Sequence, residues 1–268
     1  MNQSDRYRLK AEIKQKSSYS VKSIKKLLRQ RSLVVAFALL LTGLGASITS
    51  ISFKTGIAFI NNWRLDLLES YPAYLVLPIF GLIGGALSGL LIKNLAPAAK
   101  GSGVSQIMGF LRHKRVPMNL RVGLVKLISG IIAIGSGFPL GPEGPAVQMG
   151  GSVAWQMAKW LKAPIAFRRV IVAAGGGAGI AAVFSAPLGG FIYAIEELLN
   201  SAKPVVLLLV IITTFIADSS AIFLQGGANQ PAFTIDFSFS QNDFFYLLIL
   251  GLIIGVFAEF YCKYVLMM

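Results

Sequence analysis

The turn that decides the fold reads Gly135-Ser136-Gly137-Phe138-Pro139-Leu140-Gly141-Pro142-Glu143-Gly144-Pro145. An apolar run over residues 146–160 follows it directly, and Pro145 stands where an α-helix tolerates proline, in its first turn. The pattern therefore predicts a helix that begins within an apolar region rather than at a water-exposed loop.

Most apolar segments around this turn are too short to span a membrane. Two complete spans, over residues 33–53 and 71–92, come first, and glycines and prolines then separate segments at 127–140, 144–158, 170–184, 186–195, 204–217 and 244–258. A helix needs about 20 residues to cross the hydrocarbon core, where irregular backbone is tolerated only if protein or water buries it. The sequence predicts a bundle with broken or re-entrant helices, which is typical of ion transporters.

The composition excludes a soluble enzyme. Of 268 residues, 55% are hydrophobic and only 13% are charged, against about 25% charged in ordinary globular proteins. Mean hydropathy is +0.69. A single cysteine, Cys262, and a single histidine, His113, provide no intrachain disulfide and no multi-histidine metal site. The sequence thus indicates an all-α polytopic membrane protein that is not an enzyme and has no metal or other cofactor.

The positive charge is concentrated at the N-terminus. Residues 1–32 hold ten Lys and Arg against two Asp and Glu, so +8 of the net +14 lies in this segment. It is either a basic helix on anionic headgroups or a disordered tail. The positive-inside rule places it in the cytoplasm. Because the charge flanks membrane spans, the lipid bilayer is an expected partner and nucleic acid is not.

A second glycine-rich turn precedes another apolar run, at residues 107–111. It reads Lys100-Gly101-Ser102-Gly103-Val104-Ser105-Gln106. Helix N-termini present free N–H groups and partial positive charge, so two that converge at low dielectric form a site for a dehydrated anion. The Ser102 hydroxyl can donate a further hydrogen bond. We therefore predict an anion site at Gly101, Ser102, Gly103 and Gly144.

Glu143 is the anomalous residue of this site. A carboxylate in an apolar region costs several kcal/mol unless it is partnered or protonated. It is either a helix-capping carboxylate or an acid that occupies the anion site when ionised and vacates it when protonated.

Three motifs, in matching order and spacing, resemble the CLC family of chloride channels and proton/chloride exchangers. They are Ala96-Pro97 with Gly101-Ser102-Gly103, then Gly141-Pro142-Glu143-Gly144-Pro145, then Phe184-Ser185-Ala186-Pro187-Leu188-Gly189-Gly190 with Ile195-Glu196-Glu197. The resemblance implies that Ser102 coordinates the central anion, and that a proline in its place favours nitrate. It also implies that Glu143 is the external gate and proton acceptor, and that Glu197 relays protons from the cytoplasm.

The family fold is an inverted repeat, and this sets the expected organisation. Residues 1–32 form a cytoplasmic segment, residues 33–243 the first repeat and residues 244–268 the first helix of an incomplete second repeat. The resemblance implies a homodimer in the plasma membrane that exchanges chloride, or a similar small anion, for protons. The alternatives are a passive chloride channel of the same fold and a truncated, non-transporting membrane subunit.

Several residues depart from the family pattern or leave two interpretations open. Ser105 replaces a proline, and Pro142 replaces the usual Arg or Lys before the gating glutamate. Lys126 is either a buried basic residue or a snorkelling lysine at a helix end. Glu196 and Glu197, about 100° apart on a helix, are a relay pair or two solvated carboxylates. The glycines at 175–179 predict close helix packing, and those at 81, 85 and 89 predict the approach of another helix to residues 71–92.

Overall fold

The structure is a computed structural model that describes residues 3–114, 116–200, 203–226 and 241–267, of which 3–32, 241–242 and 265–266 are described by backbone alone. Every regular element in these ranges is helical, which confirms the predicted all-α class. The α-helices are α1 Gln3–Ser70, α2 Ala73–Leu95, α3 Val104–Leu111, α4 Leu120–Gly135, α5 Glu143–Trp160, α6 Ile165–Phe184, α7 Pro187–Tyr193, α8 Pro204–Leu224 and α9 Gln241–Met267. A 3₁₀ turn, Pro97–Ala99, and a π-helical segment, Ala194–Leu199, complete the series. The chain divides into two compact units, Met1–Ala228 and Asn229–Met268.

Helix α1 continues far beyond the uncharged run from which it was predicted. The sequence predicts a span that ends at Phe53, but the helix runs on through Lys54 and Arg64 to Ser70. No proline occurs between residues 33 and 70, so the loss of apolar character alone does not end the helix. The backbone of residues 3–32 belongs to the same helix, whereas the predicted contact of their side chains with headgroups lies outside the described residues.

Glycines let three other helices pack closely along α1. A Cβ at Gly43 would lie 2.8 Å from Ile216 Cγ2 of α8, and one at Gly45 would lie 2.6 Å from Val153 Cγ1 of α5. A Cβ at Gly56 would lie 2.6 Å from Ile131 Cδ1 of α4. Helix α1 is therefore a shared support for α4, α5 and α8.

Helices α5 and α6 pack backbone to backbone at the centre of the first unit. A Cβ at Gly150 would overlap the Gly175 carbonyl oxygen, and one at Gly179 would overlap that of Ala146. A Cβ at Gly177 would lie 2.5 Å from the Gly190 carbonyl oxygen of α7. The close packing predicted for residues 175–179 is confirmed.

Helix lengths correct the prediction that most later segments are too short to cross a membrane. Among the described residues, five helices are long and apolar enough: Leu33–Ser70, Ala73–Leu95, Ile165–Phe184, Pro204–Leu224 and Asp243–Tyr264. The predicted segments 170–184 and 204–217 are shorter than the helices that contain them, because polar residues such as Arg168 and Asp218 lie inside these helices. Helices α3 and α7, with 8 and 7 residues, remain broken elements as predicted.

The glycine face predicted for the second span is only partly used. A Cβ at Gly81 or Gly89 would meet nothing within 4 Å, whereas one at Gly85 would touch the Phe138 ring. The close approach is at Gly84, where a Cβ would lie 2.5 Å from Ser136 Cβ. Helix α2 thus meets the start of the 136–142 loop through a glycine outside the predicted series.

The second unit contributes one described helix, α9, which covers the segment expected to open a second repeat. Its apolar side chains are exposed, and Glu259 forms an exposed ion pair of 2.8 Å with Lys263 one turn later. Cys262 is exposed on the same helix.

Candidate functional site

The Ser102 turn connects the 3₁₀ turn to α3. Gly101 and Gly103 have φ angles of +80° and +103°, which side-chain-bearing residues rarely adopt. Helix α3 begins at Val104 directly after Gly103, so the serine at position 105 does not prevent the helix from starting there. The first amides of α3 have no partner within the helix, and Ser102 lies immediately before them.

Glu143 is the first residue of α5, and Pro142 occupies the capping position. Pro142 forms no side-chain cap hydrogen bond, and Glu143 is the acidic residue of the first turn. Its carboxylate lies back over Gly141, where a Cβ would overlap Oε2. Pro145 stands in the first turn of the helix, as predicted.

The starts of α3 and α5 touch each other. A Cβ at Gly144 would overlap the Ser102 carbonyl oxygen, and one at Gly103 would lie 2.6 Å from the Gly144 carbonyl oxygen. Both glycines are required for this approach. The two helix N-termini that the sequence expected to converge are therefore adjacent.

One cavity of about 700 Å³ contains most of the predicted anion site. Gly101, Ser102, Glu143 and Gly144 line it, and Gly103 lies behind them in the contact between the helix starts. The remaining lining residues are mostly apolar, apart from Lys126 and the serines at 88 and 129. The site combines helix N-termini, three serine hydroxyls, one lysine and one acid in otherwise mostly apolar surroundings.

Lys126 is the buried basic residue of this cavity and not a snorkelling one. Only 6% of its surface is exposed. Its Nζ donates a 3.1 Å hydrogen bond to the Ala99 carbonyl oxygen and another to that of Gly101. The open question about this lysine is thus resolved: it binds the backbone that leads into the Ser102 turn.

The four backbone carbonyl oxygens that precede Ser102, those of residues 98–101, each accept a hydrogen bond from a side chain. Besides Lys126, which takes Ala99 and Gly101, Gln148 Nε2 donates to the Ala98 oxygen at 2.9 Å and Gln106 Nε2 to that of Lys100. Carbonyl oxygens carry partial negative charge, so this coverage reduces repulsion of an anion nearby. Sequence reasoning missed Gln106 and Gln148, although a polar glutamine within the apolar run 144–158, which holds Gln148 and Gln156, is a detectable signal.

Glu196 and Glu197 lie at a second cavity, of about 450 Å³, which neither Ser102 nor Glu143 lines. They belong to the π-helical segment Ala194–Leu199, so the α-helical angle of about 100° predicted between them does not apply. The same cavity is lined by Arg112, at the C-terminal end of α3, and by Arg169 of α6.

Arg64 of α1 packs against the loop that precedes Glu143. Its guanidinium lies where a Cβ at Gly137 would be, and its Nη2 donates a 2.7 Å hydrogen bond to Asn61 Oδ1. The 136–142 loop has a proline and not a cation at position 142, but the Arg64 guanidinium lies against its first residues.

Comparison with known proteins decides the family. Residues 84–268 match the family model described as voltage gated chloride channel. The chain belongs to this family. Because the matched range contains α3, α5 and the π-helical segment, all three motifs fall within it. The family match and the five apolar helices make the chain an integral, multi-pass membrane protein.

Solved structures of CLC proteins share the fold. A slow cyanobacterial Cl⁻/H⁺ antiporter is 31% identical with a TM-score of 0.71, and the match covers 84% of this chain and 54% of that one. A eukaryotic CLC transporter is 25% identical with a TM-score of 0.63, over 75% and 39% of the two chains. A CLC-type fluoride/proton antiporter, 21% identical with a TM-score of 0.66 over 83% and 54%, matches in fold alone. The chain spans about half the length of these proteins or less.

Proposed function

We propose that this chain carries the anion pathway of a CLC-type transporter that exchanges chloride for protons. The observation that supports it best is the shared cavity of Ser102, Glu143 and the adjacent starts of α3 and α5. Chloride is bound there by unpaired amides and the Ser102 hydroxyl. Binding by partial charges is weak enough for the ion to leave, as transport requires.

Glu143 is the gate and proton acceptor in this proposal. When ionised, its carboxylate competes with chloride for the same positive helix termini, and when protonated it leaves the site to the anion. Glu197 receives protons from the cytoplasm at the second cavity. Arg112 and Arg169 line that cavity, and the positive-inside rule favours the cytoplasmic side for such basic residues, as for the N-terminus.

The organisation proposed for the whole protein follows the family. Residues 33–243 form a first repeat, residues 244–268 open a second one, and residues 1–32 are a cytoplasmic segment. The assembly is a homodimer with a separate pathway in each subunit, and the membrane is the plasma membrane. The function is transport rather than enzymatic catalysis.

Proteoliposomes loaded with chloride test the proposal. The purified chain is reconstituted, chloride efflux is followed with an electrode, and proton movement is followed in the same vesicles. We expect chloride efflux above that of protein-free vesicles, accompanied by proton uptake. Chloride efflux without proton movement would favour a passive channel. The absence of both would contradict transport by this chain and favour a non-transporting subunit.

A further inference from the structure

Gln148 connects α5 to both ends of the Ser102 turn. Its Nε2 donates a 2.9 Å hydrogen bond to the carbonyl oxygen of Ala98, before the turn. After the turn, a Cβ at Gly103 would lie 2.7 Å from the Gln148 Cβ and 3.0 Å from its Oε1. The glutamine is fully buried, so both contacts are made inside the protein. Gln148, on the helix that begins with Glu143, therefore contacts the backbone on both sides of Ser102.

An apolar side chain would fill the same space at lower cost. Burying an amide costs free energy unless its groups are hydrogen-bonded, and Gln148 Oε1 has no hydrogen-bond partner among the described residues. That oxygen lies beside Gly103, at the positive end of α3. The cost of burying this amide is offset by the hydrogen bond that its Nε2 donates to the backbone leading to Ser102.

We propose that Gln148 is a positioning residue that sets anion selectivity by keeping the Ser102 turn in register with the start of α5. The inference rests on the proposed function and extends it, because Gln148 lies outside the residues that line the anion cavity. A spherical halide needs the hydroxyl and both sets of helix amides to converge at one distance. Planar nitrate spreads its acceptors and tolerates a displaced turn.

Gln148→Met tests this, because methionine keeps the side-chain length and removes the amide donor. Ser152→Ala is the matched control: Ser152 is fully buried one turn later on α5, and its Oγ has no hydrogen-bond partner among the described residues. The chain and both variants are compared by calorimetric titration with chloride and nitrate and by the chloride-to-nitrate flux ratio in proteoliposomes. Hydrogen exchange of the amides at 101–106 is measured alongside.

We expect Gln148→Met to weaken chloride binding about tenfold, as for one lost buried hydrogen bond. Nitrate binding should change less, so the chloride-to-nitrate ratio falls, and exchange at 101–106 should become faster. Ser152→Ala should leave all three measurements unchanged. A preserved anion ratio in Gln148→Met would overturn the proposal, even with faster exchange, because the glutamine would then be a structural tie only.

Two further outcomes of this experiment also bear on the proposal. If Gln148→Met does not fold, Gln148→Glu replaces it, since a protonated carboxyl again donates to Ala98. The chloride-to-nitrate ratio of Gln148→Glu is then compared with that of the parent chain at each pH. The two ratios should approach each other as the pH falls. Ratios that remain apart at low pH would overturn the proposal. A parent chain that binds no chloride would contradict the proposed function, and the selectivity role of Gln148 with it, whatever the exchange data show.

Discussion

In the proposed mechanism, Glu143 serves as both ligand and gate. It lines the cavity and starts the helix whose second residue touches the Ser102 carbonyl oxygen. A carboxylate tethered so close to an anion site is itself an anion that the site can accept. Its occupancy then depends on whether it is ionised.

Replacing Glu143 with alanine should uncouple the two ions. The variant lacks both the tethered competitor and the proton acceptor, so we expect chloride flux to persist while proton movement falls to the level of protein-free vesicles. Paired chloride and pH electrodes measure this directly. Proton coupling equal to that of the parent would leave Glu143 without a role in exchange.

Glu197→Gln should separate the internal relay from the anion pathway. The substitution keeps the shape and removes the titrating proton at a cavity that Ser102 and Glu143 do not line. We expect the proton-to-chloride ratio to fall while chloride flux continues. Glu196→Gln is the matched control on the same π-helical segment. If the control loses coupling and Glu197→Gln does not, the relay belongs to Glu196.

Ser102→Pro should shift selectivity towards nitrate. Proline removes the hydroxyl donor. A halide is bound by a few donors that converge on one point, so we expect this loss to weaken chloride binding more than nitrate binding. We expect nitrate flux to rise relative to chloride flux, measured in vesicles loaded with each anion in turn. An unchanged ratio would remove Ser102 from the anion site.

The elements of this fold depend on glycines at particular crossings and not on glycine content. Gly144 and Gly89 make a matched pair, because a Cβ at Gly144 would overlap the Ser102 carbonyl oxygen, whereas one at Gly89 would meet nothing within 4 Å. We expect Gly144→Ala to destabilise the chain by about 1–3 kcal/mol, as for an overpacked core. Gly89→Ala on α2 should be neutral or stabilising by about 0.5–1 kcal/mol. Thermal unfolding in detergent compares them, and equal midpoints would contradict the contact between α3 and α5.

Local patterns predicted some elements well and others poorly, for physical reasons. The Gly-rich turns before α3 and α5 are local signals, because positive φ and an early proline specify helix starts from neighbouring residues. The tie from Gln148 to Ala98 links residues fifty positions apart, which no local pattern reveals. Helix α1 passes Phe53 because charged residues near a membrane surface remain good helix formers. The π-helical segment at Glu197 has no periodicity of its own from which to predict it.

At the scale of the whole protein, the exchange mechanism predicts a definite sign for the pH response. In the proposed mechanism, a Glu143 that binds a proton from the external side no longer competes with chloride for the helix termini. Chloride flux should therefore rise as external pH falls and decline as it rises. Efflux rates measured over a series of external pH values, with internal pH fixed, check this. The same series with Glu143→Ala should be flat, and a steep profile in that variant would assign the response to another group.

The length of helix α1 also relates this fold to the thickness of the bilayer. From Leu33 to Ser70 it has 38 residues, which at 1.5 Å per residue is about 57 Å, whereas the hydrocarbon core is about 30 Å thick. Such a helix either tilts strongly or carries its last turns, with Trp63 and Arg64, into the headgroup layer. Since α4 and α5 pack along it and line the cavity of Ser102 and Glu143, we expect a change of bilayer thickness to reach that cavity through the tilt of α1.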